Sequence, residues 1–166
     1  MEVTRFLVEY GANITARVKD GSTPLHLASQ NGHVEVMQFL VVVEHGADPT
    51  ARDKDGLTPL HVALQSGDME LALLLIEHGA DVTAQKKGRV TAMHLASHNG
   101  DMEITEFLVE HGANPLAQDK NKDGWTPLHL ASQKGHVQVT RFLSEHGANK
   151  TARKNNCLTP LHCCIA

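Results

Sequence analysis

The sequence predicts an all-α protein made of one small helical unit stacked repeatedly along the chain. Three observations carry this. The block Thr23-Pro24-Leu25-His26-Leu27-Ala28 returns at 58–63, 91–96, 126–131 and, altered, at 159–164, its threonines 35, 33, 35 and 33 residues apart. Each full block runs into a glycine: Gly32, Gly67, Gly100 or Gly135. A second apolar run of helical period then follows and closes at His-Gly-Ala, around Gly46, Gly79, Gly112 and Gly147. A fixed period of this size is the signature of stacked repeats.

Each block reads as a helix start. The threonine hydroxyl can cap free backbone N–H groups, and proline at the first helical position gives up an N–H that would have no partner anyway. The glycine that follows supplies the left-handed conformation that closes a short first helix. Runs such as Met69-Glu70-Leu71-Ala72-Leu73-Leu74-Leu75-Ile76 and Met102–Val109 place apolar residues at helical spacing, so one face is buried. A polar segment with turn residues, such as Arg52-Asp53-Lys54-Asp55-Gly56, leads to the next threonine. The unit is therefore helix, turn, helix, projecting hairpin.

These blocks resemble the ankyrin repeat, whose 33-residue period and Thr-Pro-Leu-His-x-Ala signature they match. The resemblance covers essentially the whole chain and implies an ankyrin-repeat solenoid with short β-hairpin loops. In register, one domain spans 1–166, with full repeats at 16–50, 51–83, 84–116 and 117–151. Residues 1–15 match only a second helix and 152–166 only a hairpin and first helix, as expected of a piece of a longer array. Val3, Phe6 and Leu7 at one end, and Leu161, Cys163 and Cys164 at the other, are expected to lack covering neighbours, giving frayed ends or end-to-end self-association.

Four departures stand out. Two extra residues at Val42-Val43 lengthen the second helix of the first full repeat, and Asn121-Lys122 lengthen the fourth hairpin beside Trp125. Arg89 and Cys157 stand where other hairpins have Gly56 and Gly124, so their turns are expected to differ, because a positive φ suits glycine. Thr50, Thr83 and Thr151 occupy the position where many ankyrin repeats carry the asparagine that is hydroxylated in the family.

No sequence feature points to catalysis. Of the twelve histidines, five hold the motif position and four precede the closing glycine. By the resemblance the first set hydrogen-bonds within and between repeats, while the second sits at helix C-termini, where the dipole favours a partly cationic ring. His94 and His98 have a zinc-compatible spacing but no third ligand. There is no nucleophile elbow, metalloprotease motif, phosphate loop or dinucleotide fingerprint. No enzyme, cofactor or metal site is expected.

Bulk properties narrow the partner. A net charge of −4 without a basic stripe argues against nucleic acid. The longest apolar run is far short of the roughly 18 residues needed to enter a bilayer as a span. Three crowded cysteines and no signal-peptide pattern point to an intracellular compartment, cytoplasmic or nuclear. The expected function is a rigid concave surface for a partner protein or peptide, with a spacer segment of a larger protein as the alternative and a metal-binding or enzymatic domain as a minor one.

Ankyrin partners contact hairpin tips and exposed first-helix faces. Carried onto this chain, these are Lys19, Asp20, Ser22, Gln30 and Asn31, then Lys54, Asp55, Leu57, Gln65 and Ser66. Lys87, Arg89, Val90, His98 and Asn99 follow, then Lys122, Asp123, Trp125, Gln133 and Lys134, with Leu158 last. Leu57, Val90, Trp125 and Leu158 share one register position and suggest an apolar line. Lys19, Lys54, Lys87 and Lys122 suggest a parallel basic row for a peptide of some acidic character.

Overall fold

The threonines that head the blocks stand at helix starts as predicted. The hydroxyls of Thr58 and Thr126 accept the backbone N–H of His61 and His129 at 3.4 and 3.3 Å. In the computed structural model, which describes the backbone of residues 1–42, 46–120 and 123–165, Thr23, Thr58, Thr91 and Thr126 are extended N-caps. The third helical position of a capping box is usually Glu or Gln. Here it is histidine, whose Nδ1 accepts the threonine backbone N–H at 3.2–3.3 Å. The same nitrogen lies 2.7–2.8 Å from the threonine hydroxyl, which donates to it. With Nδ1 accepting, the ring proton is on Nε2, and this N–H reaches the next hairpin. His26 donates to the Leu57 carbonyl at 3.0 Å, His94 to that of Trp125 at 3.2 Å and His129 to that of Leu158 at 3.2 Å.

The chain forms two compact units, residues 1–81 and 82–166. In the first, α1 (Glu2–Glu9) precedes two helix pairs, α2 (Pro24–Gln30) with α3 (Val34–Val42) and α4 (Pro59–Ser66) with α5 (Met69–Glu77). First helices α2 and α4 pack side by side, as do second helices α3 and α5. Leu25, Met37, Leu40, Leu60, Leu64, Leu71 and Leu75 are buried in this unit.

The second unit opens with a two-strand hairpin, β1 (Gln85–Lys86) and β2 (Val90–Thr91), paired antiparallel. The pairs α6 (Ala92–Asn99) with α7 (Met102–Glu110) and α8 (Pro127–Lys134) with α9 (Val137–Glu145) follow, then α10 (Pro160–Ile165) against α8. Ala92 starts α6 as well as proline starts the others, since the Thr91–His94 box is intact. Met93, Ile104, Leu108, Leu128, Val139 and Leu143 are buried. At the second-helix ends, Nδ1–H of His78, His111 and His146 donates to the carbonyl four residues back, at 2.8 Å in each case.

Two expectations need correction. Arg89 and Cys157 do not impose a different turn: their φ values of 60° and 64° fall in the same left-handed region as Gly21, Gly56 and Gly124 at 90°, 75° and 68°. Arg89 N–H closes its turn on the Lys86 carbonyl at 2.9 Å, just as Gly56 closes on Asp53 at 3.1 Å. Around Arg89, two short flanking strands and the bond from the next tip to Gly88 frame this conformation. Nor is Cys163 uncovered: it is buried against the packed α8–α10 pair, while Leu161 and Cys164 are exposed. Val3, Phe6 and Leu7 are exposed as expected. The Val42-Val43 and Asn121-Lys122 insertions reach residues outside those described.

Candidate functional site

The hairpins are held in rows by backbone. In the first unit the Lys54 N–H donates to the Asp20 carbonyl at 2.9 Å. The Arg17 guanidinium donates across the same gap, to the Gly21 carbonyl at 2.9 Å and the Arg52 carbonyl at 2.6 Å. In the second unit Lys120 N–H donates to Gly88 and Asn155 N–H to Asp123, both at 2.6 Å. Tips tied in this way have little backbone freedom left to lose on binding.

Between the first two tips and the exposed faces of α2 and α4 lies a groove of about 340 Å³. Six residues expected at a partner surface line it: Asp20, Ser22, Gln30, Leu57, Gln65 and Ser66. It also takes in His26, Leu27, Asp53 and Val62, which the sequence reading missed. Leu27 and Val62 follow the motif histidine, so first-helix periodicity could have found them. Asp53 shows no such signal.

The groove walls are acidic and pre-set. Asp20 Oδ1 accepts the Ser22 N–H at 2.8 Å, and hydrogen bonds from Ser22, backbone first, hold this carboxyl below the usual range. Asp53 Oδ1 accepts the N–H groups of Asp55 and Leu57 at 2.9 and 2.8 Å. Lys19, Lys54 and Asp55 are exposed at the tips outside this lining. Asn31 lines a separate apolar hollow of about 330 Å³ with Leu7, Val8 and Leu40.

In the second unit the predicted residues scatter more. Val90 and Leu158 are half-buried, while Lys87, Arg89, His98 and Asn99 are exposed. Gln133 and Lys134 line a hollow with Val137, Arg141 and Cys164. Trp125 is committed locally: the Lys154 ammonium sits 3.7 Å from its ring centroid, and its indole N–H donates to Asp123 at 3.4 Å. Its backbone N–H donates to Asp119 Oδ1 at 2.8 Å, and the His129 ring meets it edge-on at 6.1 Å. Leu57 is likewise half-buried, so this register position is built into the hairpin stems rather than standing free. Lys122 lies outside the described residues.

Burial lowers the pKa of His94 to about 4, opposed only weakly by its bond to Trp125. His129 is lowered by burial and by the charge of Lys154. Among the described residues no three His, Cys, Asp or Glu side chains gather closely enough to hold a metal ion. None of the described helices is long and apolar enough to cross a membrane.

The capped first helix, the antiparallel second helix and the tied tips recur at the sequence period, and sequence profiles agree. A profile described as ankyrin repeats (3 copies) matches residues 42–119 and 93–166, and one described as ankyrin repeats (many copies) matches residues 7–63. The chain belongs to the ankyrin-repeat family. Its fold class is the all-α ankyrin solenoid, and ankyrin repeats generally act as non-catalytic protein-interaction modules. The chain is also similar to Protein fem-1 homolog C of Bos taurus, Mus musculus and Homo sapiens. Each is 39% identical over 41 residues, which is 25% of this chain and 7% of the relative. The match thus spans a small part of those relatives' length.

Proposed function

We propose that this ankyrin chain docks an extended segment of a partner protein in the groove between the tips of the first two hairpins and helices α2 and α4. The repeats at 16–50, 51–83, 84–116 and 117–151 form an intracellular scaffold for this presentation, without catalysis. One observation carries the reading: six residues expected from register to face a partner line a single groove of about 340 Å³. Leu27, Leu57 and Val62 offer apolar contact, and Gln30 and Gln65 offer both donors and acceptors to a peptide backbone. Asp20 and Asp53 favour N–H donors or a basic side chain inside the groove, while acidic residues of the segment meet Lys19 and Lys54 at the rim.

The test is affinity capture from an extract of the source cell. The native chain is compared with a Gln30→Arg, Gln65→Arg pair, which fills the groove from exposed positions without touching the core. Glu70→Arg, exposed on α5, controls for charge. A protein retained by the native chain and by Glu70→Arg, but lost from the pair, supports the groove. Equal capture by all three refutes it.

A further inference from the structure

The third hairpin differs from its neighbours in both charge and backbone. Its tip, Lys86-Lys87-Gly88-Arg89, carries three cations and no acid, whereas Arg52-Asp53-Lys54-Asp55-Gly56 is balanced. It alone forms a two-strand ladder among the described residues. Arg89 holds a left-handed φ of 60°, as Cys157 does at 64° in the fifth hairpin, where Gly21, Gly56 and Gly124 make the same turn without strain.

The Arg89 side chain is exposed, and its Nε donates to Gln85 Oε1 at 3.3 Å. Beside it lies a groove of about 540 Å³ within the second unit, lined among others by Thr83, Gln85, Arg89, Asn114 and Gln118. The lining holds one guanidinium and several amides and hydroxyls, and no carboxylate. The bond from Lys120 N–H to the Gly88 carbonyl brings a further exposed lysine to the same tip. A cation among neutral donors, with no acid in the lining itself, is the chemistry of an anion receptor.

We propose that this groove is a second docking site, which takes an extended acidic segment of a protein partner. Arg89 receives an Asp or Glu carboxylate, and the amides of Gln85 and Gln118 engage the segment's backbone. Lys120, exposed beside them, adds to the positive field at the tip. The site lies wholly in the second unit and does not depend on the groove between α2 and α4.

The experiment is fluorescence polarisation of the whole chain with labelled octaglutamate, using octaglutamine and an oligothymidylate of equal charge as comparison probes. Variants are Arg89→Gln, Arg89→Gly and, on the fifth hairpin, Arg153→Gln, which makes the same charge change at an exposed residue. Octaglutamate should bind and octaglutamine should not. Both Arg89 variants should weaken binding about tenfold, the loss expected for one charge-assisted hydrogen-bonding group, with Arg153→Gln unchanged. Arg89→Gly should also melt higher than the native chain, because glycine relieves the turn. Higher stability with weaker binding is a combination that a purely structural arginine would not produce. Equal weakening by Arg153→Gln, unchanged binding by Arg89→Gly, or tighter binding of the oligothymidylate would overturn the proposal.

Discussion

Acidification should loosen the second unit through His94. The ring is buried and neutral, with Nδ1 accepting from Thr91 and Nε2–H donating to Trp125. A proton on Nδ1 would face the Thr91 N–H and remove the acceptor that caps α6. Burial, against the opposing bond to Trp125, places the folded pKa at about 4, below the ordinary 6.5. The sign follows from linkage. The folded pKa is depressed, so the stabilisation is complete above about 6.5 and is lost as pH falls toward about 4, because the unfolded chain binds the proton first. Between pH 7.5 and 5 this one group should remove about 2 kcal/mol, and about 3 kcal/mol once pH falls below the folded value. Unpaired carboxylates titrate mostly below about pH 5, so this window belongs to histidines. The assay is urea unfolding followed by Trp125 fluorescence at several pH values, for the native chain and His94→Gln. Glutamine keeps an acceptor and a donor but cannot titrate. The native chain should lose about 2 kcal/mol more than the variant on going from pH 7.5 to 5. NMR should find the His94 ring neutral at pH 5.5. A ring that titrates near 6.5, or equal acid sensitivity in both proteins, would refute the reasoning.

Three further outcomes are expected. Gly100→Ala should cost about 2 kcal/mol, since its Cβ would sit 2.5 Å from His136 Nδ1 at a φ of +85° and break the bond from His136 to the His98 carbonyl. Gly135→Ala, at φ +72° with open space around it, should cost about 1 kcal/mol by the same thermal melts. Ser97→Ala should stabilise the second unit by about 1 kcal/mol, because the Ser97 hydroxyl is buried without a partner. Ser29→Ala should not stabilise, since that hydroxyl donates to the Leu25 carbonyl at 2.9 Å; chemical denaturation of both variants checks the contrast. Lys154→Met should lower the stability of the second unit by about 1 kcal/mol by removing the cation from the Trp125 face. An unchanged midpoint would show that the contact is only packing.

The sequence by itself determined the repeat, its helices and its caps. Thr-Pro-Leu-His states a helix start in local terms, since the cap, the proline φ and the following glycine act within a few residues. Period and apolar spacing likewise determined which leucines are buried, and the resemblance to ankyrin repeats pointed to the positions that could face a partner. Only the tertiary structure decided what surrounds those positions. Asp53 and Leu57 come beside Gln30 because two hairpins and two helices pack together, and no local pattern encodes that neighbour. Arg89 and Cys157 both take a glycine's conformation at this position, so the turn that the repeat requires outweighs the residue's own preference. Trp125 reads as an open hot spot until Lys154, 29 residues later in the chain, lies over its ring. Local backbone chemistry is written residue by residue, whereas a surface is made of neighbours that the chain brings together only by folding.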